Sequence, residues 1–404
     1  MKLKKFFAGV LAAAMMLTVG ATAAFATTTT GDAAETEPTA TVTAIKGDKA
    51  LKASDNIPLY KNYFVKKGIA PAEEFEFTIT YEGVLQQDTA AFAPKYTKGQ
   101  TVLSGQKVSF GQLAVSANAA SDSFNVTPAQ LGLSDPTGTG KYLYKITETK
   151  GKTTATDYAD DKPVYMIVTV AHEVNPDTHK IVENSYVYYV TMSRDYTEGS
   201  KKFDENKKIN NTDAFNNYYG KDADNKDTVF NLVLSKEVAG GFGDLTKPFT
   251  FNVIFKADST VSRGPIQVVE LKKDAAISLN NAPIGTSTTL SYGVNYTVTL
   301  KDGASIEFGN LPAGVEYEIT ETLSNTDNYN VTVNGDAQEK NVAYKGTVSG
   351  NNDAKTDTVA YVNTNPETPD MGVVLDNAPY IAMLAIVAIG GVALMLNKRR
   401  RDEE

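Results

Sequence analysis

Short segments in which apolar and polar residues alternate run through most of the chain, and they constrain its fold more than any other feature. Alternation with a period of two places every second side chain on one face of a strand, so that face can be buried while the other meets water. The clearest segments are FEFTIT (75–80), YLYKITE (142–148), PVYMIVTV (163–170), SYVYYVTM (185–192), FNLVLSKEV (230–238), FTFNVIF (249–255), NYTVTL (295–300) and VEYEITE (315–321). No stretch between the two ends shows a sustained helical period. The pattern predicts an all-β protein built from sandwiches of short strands.

Composition excludes several classes of protein. The chain has 404 residues, which is enough for two or three domains of about 150 residues each. It has no cysteine, so disulfide scaffolds, thiolate metal sites and thiol nucleophiles are excluded. It has 39 Lys and Arg against 48 Asp and Glu, a net charge of −9 that argues against a nucleic-acid partner. No cofactor and no metal site is expected.

The N-terminal end has the pattern of an export signal. Lys2, Lys4 and Lys5 precede an uncharged, largely apolar run that continues to about residue 26. Small residues then stand at Ala24 and Ala26, on either side of Phe25, and form an A-x-A-like cleavage site. We therefore predict a secretory signal peptide over residues 1–26, with a retained membrane anchor as the alternative.

The C-terminal end has the pattern of a membrane anchor. YIAMLAIVAIGGVALML (380–396) is nearly all apolar, and the basic cluster KRRR (398–401) follows it. This length is just sufficient for a transmembrane helix, and the basic residues place its end in the cytoplasm. Residues 27 to about 370 would then lie outside the cell with a net charge of −12, because the signal segment carries three lysines and the anchor segment is neutral.

The two halves of the alternating region share an order of landmarks. Each half has a strand with a lysine, then F-x-F, then F-G-x-L, then Y-x-I-T-E, and finally a strand with an asparagine. In the first half these are LYKNYFV (59–65), Phe75 with Phe77, SFGQL (109–113), YKITE (144–148) and FNNYY (215–219); in the second they are LSKEVAG (234–240), Phe249 with Phe251, EFGNL (307–311), YEITE (317–321) and YVNTN (361–365). The order predicts two related domains.

The domain boundaries follow from composition. We place the first sandwich at residues 56–220 and the second at 229–366, with a polar linker at 221–228. Residues 27–55 are rich in Thr and Ala and read as a flexible lead-in. Residues 367–404 form the C-terminal signal with its membrane helix.

A lysine, a glutamate and an asparagine in each half share the strand phase of apolar neighbours. Lys61 is in phase with Leu59 and Tyr63, and Lys236 is in phase with Leu234 and Val238. The same holds for the other polar residues of the two sets, which are Glu148, Asn217, Glu321 and Asn363. We therefore expect all six side chains to point into apolar cores.

Burial gives these residue types a specific chemistry. A buried lysine or carboxylate shifts its pKa toward the neutral form, and a neutral amine is a nucleophile while a glutamic acid can pass protons. The amine can attack the amide carbon of an adjacent asparagine while the acid polarises the carbonyl oxygen, so that ammonia leaves. The product is a Lys–Asn isopeptide bond formed once, without a cofactor. The alternatives are a buried ion pair with a hydrogen-bonding asparagine, or charged side chains that face water.

The ordered set of motifs resembles the streptococcal-type pilin isopeptide-linkage domains of backbone pilins and surface adhesins in Gram-positive bacteria. FGNLPAG (308–314) before YEITE also resembles the collagen-adhesin B-type repeat. The resemblance covers about residues 56–366 and implies two immunoglobulin-like sandwiches. It implies cross-links Lys61–Asn217 and Lys236–Asn363 between parallel first and last strands, with Glu148 and Glu321 as the catalytic acids. Asn216 and the pair Asn210 and Asn211 are the weaker alternatives for the first acceptor.

The segment before the apolar span partly matches a sortase sorting signal of the form L-P-x-T-G. Its residues are Thr368, Pro369, Asp370, Met371 and Gly372. Thr368 stands where the motif has leucine, and Met371 stands where it has the threonine that forms the acyl bond. We expect wall attachment by a sortase that accepts this segment, and retention by the uncleaved membrane helix is the alternative.

These inferences predict a cell-surface structural protein, a pilin subunit or pilin-like stalk. Its expected partners are a sortase and either other pilin subunits or peptidoglycan. The first alternative is an anchored adhesin that binds a host or matrix ligand. A glycan-active enzyme is disfavoured because the only carboxylates singled out belong to different domains. Lys207 and Lys208 are candidate nucleophiles for polymerisation, but a solvated basic turn explains them equally well.

Overall fold

The computed structural model describes residues 49–87, 95–117, 119–158, 162–324, 326–350 and 357–366. The predicted signal peptide, the sorting signal and the membrane helix lie outside these residues. Within them, no helix is long and apolar enough to span a bilayer. The helices described are single 3-10 turns at Val115–Ala117, Glu205–Lys207 and Asn211–Asp213. The all-β fold expected from the alternating pattern is confirmed.

The described residues of the first sandwich form twelve strands. They are β1 (Ile57–Val65), β2 (Ile69–Ala70), β3 (Glu73–Gln87), β4 (Thr101–Phe110), β5 (Leu113–Ala114), β6 (Ala119–Val126), β7 (Gly140–Thr149), β8 (Thr156–Asp157), β9 (Val164–Val174), β10 (Ile181–Ser193), β11 (Lys208–Ile209) and β12 (Phe215–Tyr219). One sheet has the order β6-β1-β12-β8 and the other β11-β10-β9-β7-β3-β4, while β2 pairs with β5. The lysine strand and the asparagine strand are therefore neighbours in the smaller of the two main sheets.

Thirteen strands are present in the part of the second sandwich that the structure describes. They are β13 (Val229–Ala239), β14 (Phe249–Phe255), β15 (Ile266–Lys272), β16 (Ala276–Leu279), β17 (Ala282–Ile284), β18 (Thr289–Leu290), β19 (Asn295–Leu300), β20 (Ser305–Pro312), β21 (Glu316–Thr322), β22 (Asn330–Val333), β23 (Asp336–Gln338), β24 (Tyr344–Thr347) and β25 (Asp357–Thr364). Its sheets have the orders β18-β15-β20-β13-β25-β22-β23 and β17-β16-β19-β14-β21-β24. Again the lysine strand β13 lies beside the asparagine strand β25.

Each sandwich has its own core, filled by the alternate residues that the sequence pattern selects. Strand β1 is buried at every second position, from Ile57 through Lys61 to Val65. Buried tyrosines satisfy their hydroxyls locally, as when Tyr144 donates to the carbonyl of Leu131 at 2.8 Å. The first core includes Leu51, which lies in the predicted lead-in and bridges to Tyr188.

One pair of landmarks occupies different places in the two sandwiches. Phe110 of the first F-G-x-L segment ends β4 and lies opposite Glu73 on β3. Phe308 of the second lies on β20, opposite Leu232 on the lysine strand. The strand that pairs with the lysine strand of the first sandwich is β6 instead. The expectation that the two F-G-x-L segments correspond is therefore wrong, because so short a motif suits both the end of a strand, as in β4, and the interior of one, as in β20.

Candidate functional site

The lysine and asparagine strands of each sandwich pair in parallel with the same offset. On β1 and β12, Lys61 lies opposite Phe215, so Asn217 lies two residues further along. On β13 and β25, Lys236 lies opposite Tyr361, and Asn363 is again two residues further. Residues two apart share a face, so each asparagine side chain points to the same side of the sheet as its lysine.

In the first sandwich the three polar side chains meet inside the core. Lys61 is fully buried, and its Nζ lies 3.1 Å from Oε2 of Glu148. Asn217, which is 1% exposed, donates from Nδ2 to the other carboxylate oxygen, Oε1, at 2.5 Å. One carboxylate therefore contacts both the amine and the amide, using a different oxygen for each.

The second sandwich repeats the arrangement with one difference. Lys236 Nζ lies 3.4 Å from Oε1 of Glu321, and Asn363 Nδ2 donates to the same Oε1 at 2.8 Å. All three side chains are buried, with exposed fractions of 3% or less. Among the described residues, neither Oε2 of Glu321 nor Oδ1 of Asn363 has a hydrogen-bond partner.

The first phenylalanine of each F-x-F motif forms an aromatic shelf beneath the lysine. Lys61 Nζ lies 4.4 Å from the ring centroid of Phe75, and Lys236 Nζ lies 4.4 Å from that of Phe249. The ring attracts the charged amine but offers it no hydrogen bond, and its bulk excludes water. In the sequence these phenylalanines are landmarks of the repeat, and their two-residue spacing in both halves is the signal that they serve the site.

The second phenylalanine of each motif holds the glutamate strand in register. Phe77 lies opposite Glu148 in the β3–β7 pair, and Phe251 lies opposite Glu321 in the β14–β21 pair. Each ring also packs against the aromatic residue two positions before the asparagine. These contacts are Phe77 with Phe215 at 4.7 Å and Phe251 with Tyr361 at 5.0 Å between centroids. The motif therefore links the strands that carry all three polar residues.

Burial moves both ionisable groups of the second site toward their neutral forms. Desolvation lowers the pKa of Lys236 to about 8, although the charge of Glu321 opposes the shift. Desolvation raises the pKa of Glu321, which Lys236 and Asn363 oppose. The pair is therefore biased toward a free amine and a protonated acid, which are the forms that amide attack needs.

The orientation of the asparagine amides differs from the one expected from the sequence. We expected each acid to polarise the carbonyl oxygen, but Nδ2 faces the carboxylate of Glu148 and of Glu321. An ionised carboxylate only accepts hydrogen bonds, so it takes the amide N–H; a protonated acid would donate to Oδ1 after the amide turns over. The orientation described places the carboxylate between the attacking nitrogen and the nitrogen that leaves.

The alternative acceptors of the first sandwich have other contacts. Asn216 lies on the opposite face of β12 and accepts a hydrogen bond from Asn62 at 2.8 Å. Asn211 donates to the carbonyl of Pro58 at 2.8 Å, and Asn210 donates to Asp213 at 3.4 Å.

The candidate polymerisation lysines carry surface ion pairs. Lys207 pairs with Asp195 at 2.8 Å and Lys208 with Glu205 at 2.7 Å. Surface pairs of this kind contribute little to stability and leave the amines reachable. The sorting-signal residues Thr368 to Gly372 lie outside the described residues.

Comparisons with known proteins give one family match and several structural ones. A family described as a domain of unknown function (DUF7601) matches residues 230–365. The chain is similar to the structure of the major pilin protein T3.2 of Streptococcus pyogenes, with 17% identity, a TM-score of 0.46, and coverage of 77% of this chain and 99% of that one. Another Streptococcus pyogenes major pilin gives 21% identity, a TM-score of 0.43 and coverage of 77% and 99%. A pilus-presented adhesin gives 11% identity, a TM-score of 0.28 and coverage of 76% and 100%. No curated protein matches the chain.

The low pKa of Lys236 predicts how stability depends on pH when no cross-link can form. Burial lowers the pKa of Lys236 to about 8 in the folded chain, and Asn363→Ala keeps that burial, whereas the unfolded chain holds the amine at a pKa of ~10.4. The unfolded state therefore binds more protons above pH 8, so the free energy of unfolding rises as pH increases from about 8 to about 9.5. Chemical denaturation across this range measures the rise.

The control for this prediction is Lys236→Met combined with Asn363→Ala. The paired variant lacks the titrating amine, so its unfolding free energy should lack the rise. Stopping near pH ~9.5 keeps tyrosine ionisation out of the comparison. Equal slopes for the two variants would show that Lys236 has an ordinary pKa.

Proposed function

We propose that the chain is an extracellular structural protein whose two sandwiches each form an internal Lys–Asn isopeptide bond. The observation that carries the proposal is the duplicated site, in which a buried lysine and a buried asparagine contact one buried glutamate. A single buried ion pair is weak evidence of function, because structural ion pairs also perturb pKa values. Two copies with the same strand offset, the same aromatic shelf and the same amide contact support a shared chemical role.

The reaction balances with the groups present. The neutral lysine Nζ bonds to the asparagine Cγ, and the bond from Cγ to Nδ2 breaks. The protonated glutamic acid donates its proton to Nδ2, which leaves as ammonia, and takes up the proton that the attacking amine loses, so the acid ends in the form in which it began. Contacts from one carboxylate to both nitrogens of the first site suit this transfer. Since the bond that forms is an amide in a buried site, water does not reverse it.

The cross-links would join the entry and exit strands of each sandwich. Lys61 and Asn217 lie on the first and last strands of the first sandwich, as Lys236 and Asn363 do in the second. Tension entering a sandwich would therefore pass through the covalent bond rather than through the hydrogen-bonded core. This suits a stalk or pilin subunit held at the cell surface, with anchoring through residues 368–372 by a sortase as the accompanying proposal.

The mass of the intact chain tests the proposal directly. Each cross-link expels one ammonia, so residues 27–371 should have a mass about 34 Da below that calculated from the sequence. Lys61→Ala and Lys236→Ala should each recover about 17 Da of that deficit. Lys66→Ala is the matched control, because Lys66 lies just beyond β1 and contacts Tyr218 at 4.7 Å, outside the site. A full calculated mass for the unmodified chain would overturn the proposal.

The alternative function is an anchored adhesin, which would use the same sandwiches as a rigid support. Cell-wall extracts separate the two. A ladder of covalent oligomers that disappears when Lys207 or Lys208 is replaced supports a pilin. A single species that binds a host or matrix ligand supports the adhesin.

A further inference from the structure

One buried asparagine, Asn310, forms hydrogen bonds to both sandwiches where they meet. Asn310 lies on β20, is 3% exposed and has a left-handed backbone with φ of 61°. Its Nδ2 donates to the carbonyl of Ile69 in the first sandwich at 2.8 Å and to that of Pro265 in the second at 2.7 Å. Its Oδ1 accepts from the hydroxyl of Tyr219, the last residue of β12, at 3.1 Å. The whole amide is therefore used at the joint.

The segments that meet at the joint lie so close together that only glycine fits at positions 68 and 264. A Cβ added to Gly68 would lie 2.0 Å from Oδ1 of Asn310, and one added to Gly264 would lie 1.9 Å from the carbonyl oxygen of Ile69. The amide of Ser262 also donates to the carbonyl of Lys152 across the joint at 2.9 Å. The joint is therefore a packed contact with specific hydrogen bonds.

The segment that connects the sandwiches is folded back on itself beside this joint. The amide of Thr228 donates to the carbonyl of Gly220 at 3.0 Å, and Lys221 and Asp227 form an isolated bridge. The Asp227 carboxylate also pairs with Lys67 of the first sandwich at 2.5 Å. Residues 220–228 therefore form a closed loop. The backbone between the sandwiches is compact and would become longer if this loop opened.

We propose that tension breaks the Asn310 contacts and opens the closed loop. The segment between the sandwiches then lengthens, while the two sandwiches themselves do not extend. Tension leaving the first sandwich passes along β12 to Tyr219 and then into the loop, where it loads the Gly220–Thr228 closure and the Asn310 contacts. These are hydrogen bonds and one partly exposed ion pair, each of which is weak by itself. The joint should therefore open before either sandwich.

The length released follows from the loop. Eight residue steps between positions 220 and 228 can extend to about 29 Å, and their ends are now held close by a hydrogen bond. Opening should add about 25 Å. Closure should be reversible, because the bonds reform when both sandwiches remain folded.

The inference rests on the proposed function only in expecting the sandwiches to stay closed. The full chain, held by its two ends in detergent, is pulled in magnetic tweezers, and its mass is measured first so that loss of ammonia is known independently. We expect a reversible step of about 25 Å. A chain without cross-links would instead show added steps of several hundred Å, which tests the proposed function and not the joint.

Asn310→Ala tests whether the Asn310 contacts hold the joint closed. The step should move to lower force by at least twofold or be already open at rest. Asn341→Ala is the matched control, because Asn341 also has positive φ and uses both amide atoms, bonding the backbone of Leu323 at 2.8 and 3.0 Å within the second sandwich. A step that is absent from the unmodified chain, or unchanged in Asn310→Ala, would overturn the inference.

Hydrogen exchange gives a second readout without force. In Asn310→Ala, the amide of Thr228, which closes the loop, and that of Ser262, which donates across the joint to Lys152, should exchange at least tenfold faster than in the unmodified chain, whereas Asn341→Ala should leave them unchanged. If Asn310→Ala fails to fold, Tyr219→Phe removes one of the three hydrogen bonds of the Asn310 side chain with little change in packing. Unchanged exchange of both amides in the variant that folds would also contradict the inference that Asn310 holds the joint closed.

Discussion

Replacing both Glu148 and Glu321 with glutamine should restore the full calculated mass and lower the melting temperature of each sandwich by about 10–20 °C. Glutamine has nearly the same shape and can bond the asparagine amide, but it cannot carry a proton from the amine to the leaving nitrogen. Both cross-links should therefore fail to form while the fold is kept. Mass spectrometry and calorimetry of the same sample measure the two effects.

The size of this effect comes from the loops that the cross-links close. They run from residue 61 to residue 217 and from residue 236 to residue 363, which are 156 and 127 residue steps. By analogy with disulfides, closing loops of this length restricts the unfolded chain enough to stabilise each sandwich by about 5 kcal/mol. A sandwich of this size shifts its melting temperature by about 2–4 °C per kcal/mol.

Glu73→Gln is the matched control for this prediction. Glu73 is a buried carboxylate of the first sandwich, 8% exposed, that accepts hydrogen bonds from Tyr158 and Thr156. Its replacement removes a buried charge without touching either cross-link, so the mass deficit should persist. A deficit that survives in the paired Glu148 and Glu321 variant would assign proton transfer to other groups.

Much of the fold could be predicted because burial follows strand phase. The alternation that places Lys61 between Leu59 and Tyr63 in the sequence is the alternation that the core requires, so all three point inward. The same reasoning applies to Glu321, which follows Tyr317 and Ile319 at alternate positions of β21. Local pattern specifies which face a side chain occupies, because a slip of one residue would expose the whole apolar set.

The parts that could not be predicted depend on contacts between distant segments. The two F-G-x-L segments do not occupy corresponding strands, because a motif of four residues does not specify the neighbouring strand in the sheet. The role of Asn310 has no signal in the sequence, because its partners Ile69 and Tyr219 lie far away in the chain and it joins two sandwiches. The orientation of the asparagine amides likewise depends on which carboxylate oxygen each nitrogen meets, and no residue pattern encodes that.

Mechanical extension should change even more than thermal stability. In the unmodified chain, neither sandwich should lengthen when the two ends are pulled, because the cross-links carry the load past the core. In Asn217→Ala, the first sandwich should unfold under force and release roughly 500 Å, since 156 residues can extend by about 3.4 Å each. Asn363→Ala should release roughly 400 Å from the second sandwich.

These variants separate loss of the cross-link from loss of the fold. Removing the asparagine leaves the buried lysine and glutamate paired, whereas removing the lysine would leave an uncompensated buried carboxylate and destabilise the core directly. Asn216→Ala is the matched control, because Asn216 adjoins Asn217 but faces the other side of β12 and bonds Asn62. It should not extend. If the unmodified chain also released several hundred Å, load would pass through the hydrogen-bonded sheets, and the paired side chains would serve the core without a covalent link.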